Sequence, residues 1–477
     1  MSRFKVLLVL CMAVLLGSLA FSAGAQDMPA PQVNLKADQL VTGGFVTIDS
    51  IYSESTGFVV IHRTSDGGVA GVSRPLAAGW TNNLRININT TVAEAQMSAM
   101  LHTDDNAIGT YEFGTVEGAD APVKVGDALV NPIFNAQVLD VTDQKLVNNE
   151  VTVRAVAVPV DSFVVIHADN GGTFGAVLGQ TFVPAGTSTD VKVALSGDVT
   201  SSLWPMLHVD TGAAGTYEFG SVEGADGPVV VNGAVATFPI WTVNHIRVAD
   251  QIAVNGDNLP GKNEMMMSAP TITAKSVLSD GPGILVIHAN DNGNAGAILG
   301  AAFVPDGLSE NVVVELDPAA GLTPVVWPML HVDAGTVGVY DGLDVDGVAF
   351  AGDQPVTFTI NAAPSLTVAD QAITEMDGMS YITVKLAVMD AAGWIAVHAD
   401  DNGKPAGTVI ATALLHTGAN WDVMIPIDPA QAGARVWPML HYDTNEMGVY
   451  EFGSVEGADV PTMVGGAPVV PAINITQ

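Results

Sequence analysis

The sequence predicts an all-β chain of four tandem immunoglobulin-like β-sandwich domains behind an export signal. Three observations predict it. Blocks of residues recur in the same order four times, apolar and polar residues alternate strictly between them, and turn residues punctuate the alternation.

The recurring blocks set the number of units. An opening strand reads Lys36-Ala37-Asp38-Gln39, Val141-Thr142-Asp143-Gln144, Val248-Ala249-Asp250-Gln251 and Val368-Ala369-Asp370-Gln371. A second block ends in histidine: Phe58 to His62, Phe163 to His167, Ile284 to His288 and Trp394 to His398. A third is Met100-Leu101-His102-Thr103-Asp104, which returns with Trp-Pro in front at Trp204 to Asp210, Trp327 to Asp333 and Trp437 to Asp443. A fourth, Tyr111-Glu112-Phe113-Gly114 through Asp120, returns at Tyr217 to Asp226 and Tyr450 to Asp459, and leaves a trace around Tyr340.

Between the blocks the period is two. Leu84-Arg85-Ile86-Asn87-Ile88-Asn89 alternates strictly, and Val191, Val193 and Leu195 share a face, as do Trp421, Val423, Ile425 and Ile427. That is the pattern of half-buried strands. Asp169-Asn170-Gly171-Gly172 and Asp401-Asn402-Gly403 carry hairpin-turn residues. Seven or eight short strands per unit and no helical run favour a sandwich over a small antiparallel barrel. The expected units are 27–134 (divergent), 135–239, 240–360 and 361–477. The third carries an insertion at 258–269, including Met265-Met266-Met267, read as an exposed loop. No flexible spacer separates them, so a semi-rigid rod is expected.

The first residues read as a signal peptide, 1–25. Arg3 and Lys5 precede the apolar run Val6 to Leu16, and Ala23-Gly24-Ala25 supplies the cleavage site, leaving Gln26 first. The one cysteine, Cys11, lies inside that segment, so the exported chain is expected to have neither disulfide nor thiolate chemistry. Its 14 basic residues against 50 acidic ones repel nucleic acid and anionic lipid. Hydrophobic residues make up 48% and charged residues only 14%, which excludes a disordered acidic chain. The expected location is secreted, extracellular or cell envelope, with no membrane insertion after cleavage.

The combination Val-Val-Ile-His-Ala-Asp, then Trp-Pro-Met-Leu-His-Val-Asp, then Tyr-Glu-Phe resembles an uncharacterised exported β-sandwich domain family of bacteria and haloarchaea. The resemblance covers nearly all of residues 31–477 and implies a β-sandwich exoprotein module without an activity to carry over. The first unit departs from it, with Arg63 and Thr64 after His62 and no Trp-Pro before Met100.

Signatures of catalysis are missing: no Gly-x-Ser-x-Gly, no His-Glu-x-x-His, no phosphate loop. The distinctive residues instead recur in every unit, which suits a structural or binding role. Eight of the ten histidines fall in the two His motifs. On a strand, Met206, His208 and Asp210 point one way with Trp204. Two readings follow. Imidazole with carboxylate suits Zn²⁺ or Cu²⁺, and an added thioether suits Cu⁺; the candidate ligands are His167, Asp169, His208, Asp210, His398, Asp400, His441 and Asp443. Alternatively the histidines and Trp and Met are hairpin and core elements, with Asp capping turn N–H groups. Asp400-Asp401-Asn402-Gly403 and Asn290-Asp291-Asn292-Gly293 also hold the oxygens of a Ca²⁺ loop, without its full spacing.

The function expected is therefore a non-enzymatic secreted or cell-surface structural or adhesive protein, an acidic rod or filament subunit, requiring no cofactor. Its partners would be copies of itself or other envelope or matrix components, and Val469 to Ile475 could add as a strand to the next molecule's edge. The alternatives are an extracytoplasmic copper- or zinc-binding protein and a secreted carbohydrate-active or other hydrolytic enzyme.

Overall fold

The computed structural model describes residues 29–261, 270–376 and 378–476. The segment read as an export signal and the run Met265 to Met267 lie outside the described residues. Among the described residues no helix is long and apolar enough to cross a membrane. The chain is all-β, and among the described residues the two helices are single turns at Pro318–Ala320 and Pro429–Ala432.

Each unit is a sandwich of two sheets, three- and four-stranded in the first three units and four-stranded on both sides in the fourth, where Thr374–Met376 adds to the first sheet, as the alternating strands require. In the second unit, Ile133–Asp140, Glu150–Val158 and Gly186–Ala194 form the first sheet. The second sheet orders Phe174–Val183, Ser162–Asp169, Ser202–Val209 and Ile240–Trp241. Apolar residues of the two inner faces, such as Val151, Val153, Val164, Ile166, Leu203 and Leu207, bury together as one core. The other three units repeat this plan around their own clusters.

The Asp-Gln pair that opens each unit closes it. The Gln side-chain amide acts as a spare peptide group: Gln144 Nε2 donates to the Thr152 carbonyl (3.0 Å) and its Oε1 accepts from Thr152 N–H (2.8 Å). Gln39 with Thr47, Gln251 with Thr273 and Gln371 with Thr383 do the same. The neighbouring Asp accepts from the unit's last strand, through Trp241 N–H to Asp143, Asn361 N–H to Asp250 and Asn474 N–H to Asp370. Asp143 also holds Arg247 and His245, the first residues of the third unit. Those two donors, together with the Trp241 N–H, hold its carboxyl below the usual range against the opposing effect of burial.

Neighbouring units are joined without spacers. The strand Ile133–Asp140 pairs with Gln96–Thr103 of the first unit at one end and with Glu150–Val158 of the second at the other. Arg154 bridges Asp140 and Glu310, and Lys145 bridges Asp280 and Asp306, tying the second unit to the third.

Three expectations are corrected. The start of the third-unit insertion is not an exposed loop. Leu259 is buried in the fourth unit's core, Asn258 exchanges hydrogen bonds with Pro461 and Met463, and Asp257 accepts from Gly466 N–H. Leu259, eight residues past the Val248-Ala249-Asp250-Gln251 motif, is an apolar side chain that the fourth unit's core takes in. The terminal strand is not free for a neighbour: Ile473–Asn474 already pairs with Arg435–Tyr442, and Ile473 is buried. The four units do not lie in line as a rod, because Arg85 of the first unit pairs with Asp422 of the fourth and lies over the Trp421 ring (5.1 Å).

Small-angle scattering checks this arrangement. A compact chain of about 450 residues has a radius of gyration of about 22 Å, whereas four units in line give about 40 Å. The exported chain is expected near the smaller value, and Arg85→Glu, which sets like charges together, is expected to raise it measurably.

Candidate functional site

The two His motifs lie on adjacent strands and face away from the sandwich core. In the second unit His167 pairs with Trp204, Val165 with Met206 and Phe163 with His208. These residues alternate with the core residues Val164, Ile166, Leu203 and Leu207, so they occupy the outer face of the sheet. The sequence reading that placed Trp and Met in the ordinary core is corrected here. What covers this face is the long loop from the third block to the last strand, and Tyr and Phe of the fourth block seat on the second histidine. Phe113, Phe219 and Phe452 lie edge-on to His102, His208 and His441 at 5.0, 4.9 and 4.8 Å.

Each unit thereby brings its two imidazoles together. Ring centroids are 5.6, 5.8, 5.9 and 6.0 Å apart in the four units in order. A β-bulge falls at the first histidine every time, next to His62, His167, His288 and His398. Bulges re-aim side chains, and here the ring swings toward its partner across the Met position.

The protonation of all eight rings follows from their partners. Nδ1 of His62, His167, His288 and His398 donates to the carbonyls of Gly67, Gly175, Gly296 and Ala406. Nδ1 of His102, His208, His331 and His441 donates to the carbonyls of Asp120, Asp226, Asp346 and Asp459. A carbonyl only accepts, so Nδ1 carries the hydrogen and Nε2 of the neutral ring is a bare lone pair. Burial keeps five of these rings neutral: it pushes His208 and His441 down to about 4 and lowers His102, His331 and His398. In units two to four every one of these Nε2 atoms is buried without a hydrogen-bond partner. In the first unit the two Nε2 atoms face each other at 3.4 Å.

The carboxylates proposed as co-ligands are used elsewhere. Asp169 and Asp400 accept from the indole N–H of Trp204 and Trp437 (2.8 Å each) and from the turn residues Gly172 and Gly403. Asn290 does the same for Trp327, which explains why Asp and Asn alternate there: either side-chain oxygen takes an indole N–H. The first unit has lost both partners together, with Ser98 in the Trp position opposite His62 and Thr64 in the Asp position. Asp210 and Asp443 accept from Gly215 and Gly448 N–H. The turns read as calcium loops are built by these same bonds, with Asn292 and Asn402 at φ 52° and 54°. Among the described residues no three His, Cys, Asp or Glu side chains cluster as metal ligands.

The residue that sequence reasoning passed over is the last Asp of the fourth block. Asp120, Asp226, Asp346 and Asp459 are fully buried, and each carboxylate accepts from loop N–H groups. For Asp226 these are Thr211 (2.8 Å) and Glu218 (2.5 Å), while its own carbonyl takes the His208 hydrogen at 2.6 Å. Its recurrence in every unit, including the third where Tyr-Glu-Phe has faded, was the available signal. Asp226→Ala leaves two buried N–H groups without acceptors and is expected to cost about 2–4 kcal/mol. Asp210→Ala, freeing one N–H beside solvent, is expected to cost about 1 kcal/mol. Urea melts measure the loss, and hydrogen exchange should localise it to 210–240.

Comparison with known proteins adds the following. No curated protein matches the chain. Among solved structures it is similar to native E. coli alpha-2-macroglobulin, at 9% identity and TM-score 0.17, covering 91% of this chain and 28% of that one. The chain thus spans little more than a quarter of that protein. It is similar to a tetra-tandem repeat in the extending region of a large adhesion protein, at 11% identity and TM-score 0.14, covering 94% of this chain and 100% of that one. It is similar to the BSP domain of a biofilm associated protein, at 9% identity and TM-score 0.18, covering 94% and 96%. Superpositions this loose carry no argument about what the chain does. A family model matches residues 31–134, 137–239, 262–363 and 364–476, and the chain therefore belongs to the family described as domain of unknown function DUF7282, in four tandem copies.

Proposed function

We propose that the chain is a non-enzymatic structural or adhesive protein of the cell surface or extracellular space. One observation carries this reading: the polar residues that recur from unit to unit serve the fold itself. The repeated Asp-Gln pair closes each sandwich, the repeated Asp after each second histidine caps its loop, and the buried Asp of the fourth block anchors that loop from below. A catalytic constellation is normally present once, on a scaffold that leaves it free to meet substrate. Four copies occupied in self-support make a multiplied scaffold instead.

Composition supports the location. An acidic, disulfide-independent chain stays soluble and self-repelling outside the cell, and salt or divalent cations promote its contacts by screening. The partners that fit are further copies of the chain or other envelope and matrix components, met side by side because the terminal strand is already paired.

Immunogold labelling of intact native cells, combined with a deletion strain, tests this. The account expects label on the outer surface or in the surrounding matrix, and weakened cell attachment or envelope cohesion on deletion. Label confined to the cell interior, or a deletion that leaves both attachment and cohesion unchanged, would overturn it.

A further inference from the structure

The paired imidazoles are more than a scaffold needs. A hydrogen-bonded core histidine satisfies both its nitrogens or leaves one to water. Here each ring gives its Nδ1 hydrogen to a carbonyl, and in the first unit the two Nε2 atoms face each other. Two bare acceptors facing each other repel, and a bulge falls at the first of these rings. Burying such a pair, with the counterpart Nε2 atoms of the other units also left without partners, is costly unless something electropositive binds the nitrogens.

The first unit shows the pair in its most open form. Where the other units place Trp opposite the first histidine, this one has Ser98, and a cleft of about 420 Å³ here is lined by His62, Arg63, Ser98, Met100, Phe113 and Ile133 among others. Met100 pairs with Val60, between the His62–Ser98 and Phe58–His102 pairs, on the face both imidazoles occupy. The two Nε2 atoms are 3.4 Å apart. Two nitrogens each about 2.0–2.1 Å from one metal ion at a tetrahedral angle stand about 3.3–3.4 Å apart. No carboxylate cluster accompanies them, so the donor set is two imidazoles and a thioether, in a cleft that Phe113, Leu129 and Ile133 share with Arg63 and Asn131. That set selects a soft, low-charge ion: thioether and imidazole suit Cu⁺, whereas Ca²⁺ and Mg²⁺ require oxygen.

We propose that His62 Nε2, His102 Nε2 and the Met100 thioether form a binding site for a cuprous ion in the first unit, reached through the cleft that Ser98 lines. His167, His208 and Met206 and their counterparts in the third and fourth units repeat the strand arrangement, with Trp in the position Ser98 holds here. The site is independent of the structural role above: a scaffold that binds no copper remains a scaffold, and a copper site can reside in a protein of any location.

The test uses the exported chain, all four units, with Cu⁺ supplied anaerobically from a coloured bidentate chelator. Wild type is expected to withdraw at least one equivalent. X-ray absorption of the one-equivalent complex is expected to show two nitrogen neighbours and one sulfur. His62→Ala should reduce uptake by one equivalent. Met100→Leu, which keeps the packing, should weaken that equivalent at least tenfold and remove the sulfur neighbour. His62 lines the cleft but is itself largely buried, so a circular dichroism melt must show that the variant remains folded. Failure of the wild type to withdraw copper would overturn the proposal. So would uptake unchanged in both folded variants, retention of Zn²⁺ in preference to Cu⁺, or an oxygen-only shell.

Discussion

The structure of every unit depends on one buried aspartate that works through both ends of its residue. Asp226 accepts Thr211 and Glu218 N–H on its carboxylate and His208 Nδ1–H on its carbonyl. The same arrangement recurs at Asp120, Asp346 and Asp459. At Asp120, Asp226 and Asp459 the backbone is left-handed, with φ of 49°, 48° and 46°, which aspartate tolerates better than most residues. In this conformation the carboxylate gathers the start of the covering loop while the carbonyl turns back toward the sheet. The loop is thereby closed, the Tyr and Phe rings are seated on the second histidine, and that histidine's tautomer is set. In the third unit, where Asp341 stands in for the glutamate, three backbone N–H groups converge on Asp346 and hold its carboxyl below the usual range, the bond from Asp341 contributing most.

Charge explains where the few basic residues stand. The chain has 16 Lys and Arg against 50 Asp and Glu, so unscreened units repel one another. Several of the cations are placed at the joints: Arg247 on Asp143, Arg154 between Asp140 and Glu310, Lys145 between Asp280 and Asp306, and Arg85 on Asp422. Exposed ion pairs contribute little individually. Arg247 and Arg154 differ, because their Asp partners are 1% and 11% exposed and the charge would otherwise be buried alone.

The repeats, the period-two strands and the sandwich class were legible in the sequence, because strand alternation is local and four copies of a motif outweigh chance. So was the turn chemistry: Asp169-Asn170-Gly171-Gly172 folds as its letters suggest. The arrangement of units was not legible. The contacts of Arg85 with Asp422 and of Leu259 with the fourth core join residues more than a hundred positions apart through single side chains that carry no pattern. At the site, the histidines stood out through repetition, yet their orientation was hidden. Alternation placed them on one face without saying which face meets the core, and the bulge at each first histidine leaves no trace in the letters. Asp226 and its counterparts were visible as a repeat, but a buried acid resembles a surface acid until the loop closes over it.

The central claim is that each unit pairs two imidazoles with Nδ1 carrying the hydrogen and Nε2 bare. Long-range ¹H–¹⁵N correlation spectra of the metal-free exported chain at neutral pH measure this ring by ring. The account predicts that the eight motif histidines all show the Nδ1–H tautomer. Motif histidines with hydrogen on Nε2, or protonated on both nitrogens, would contradict it.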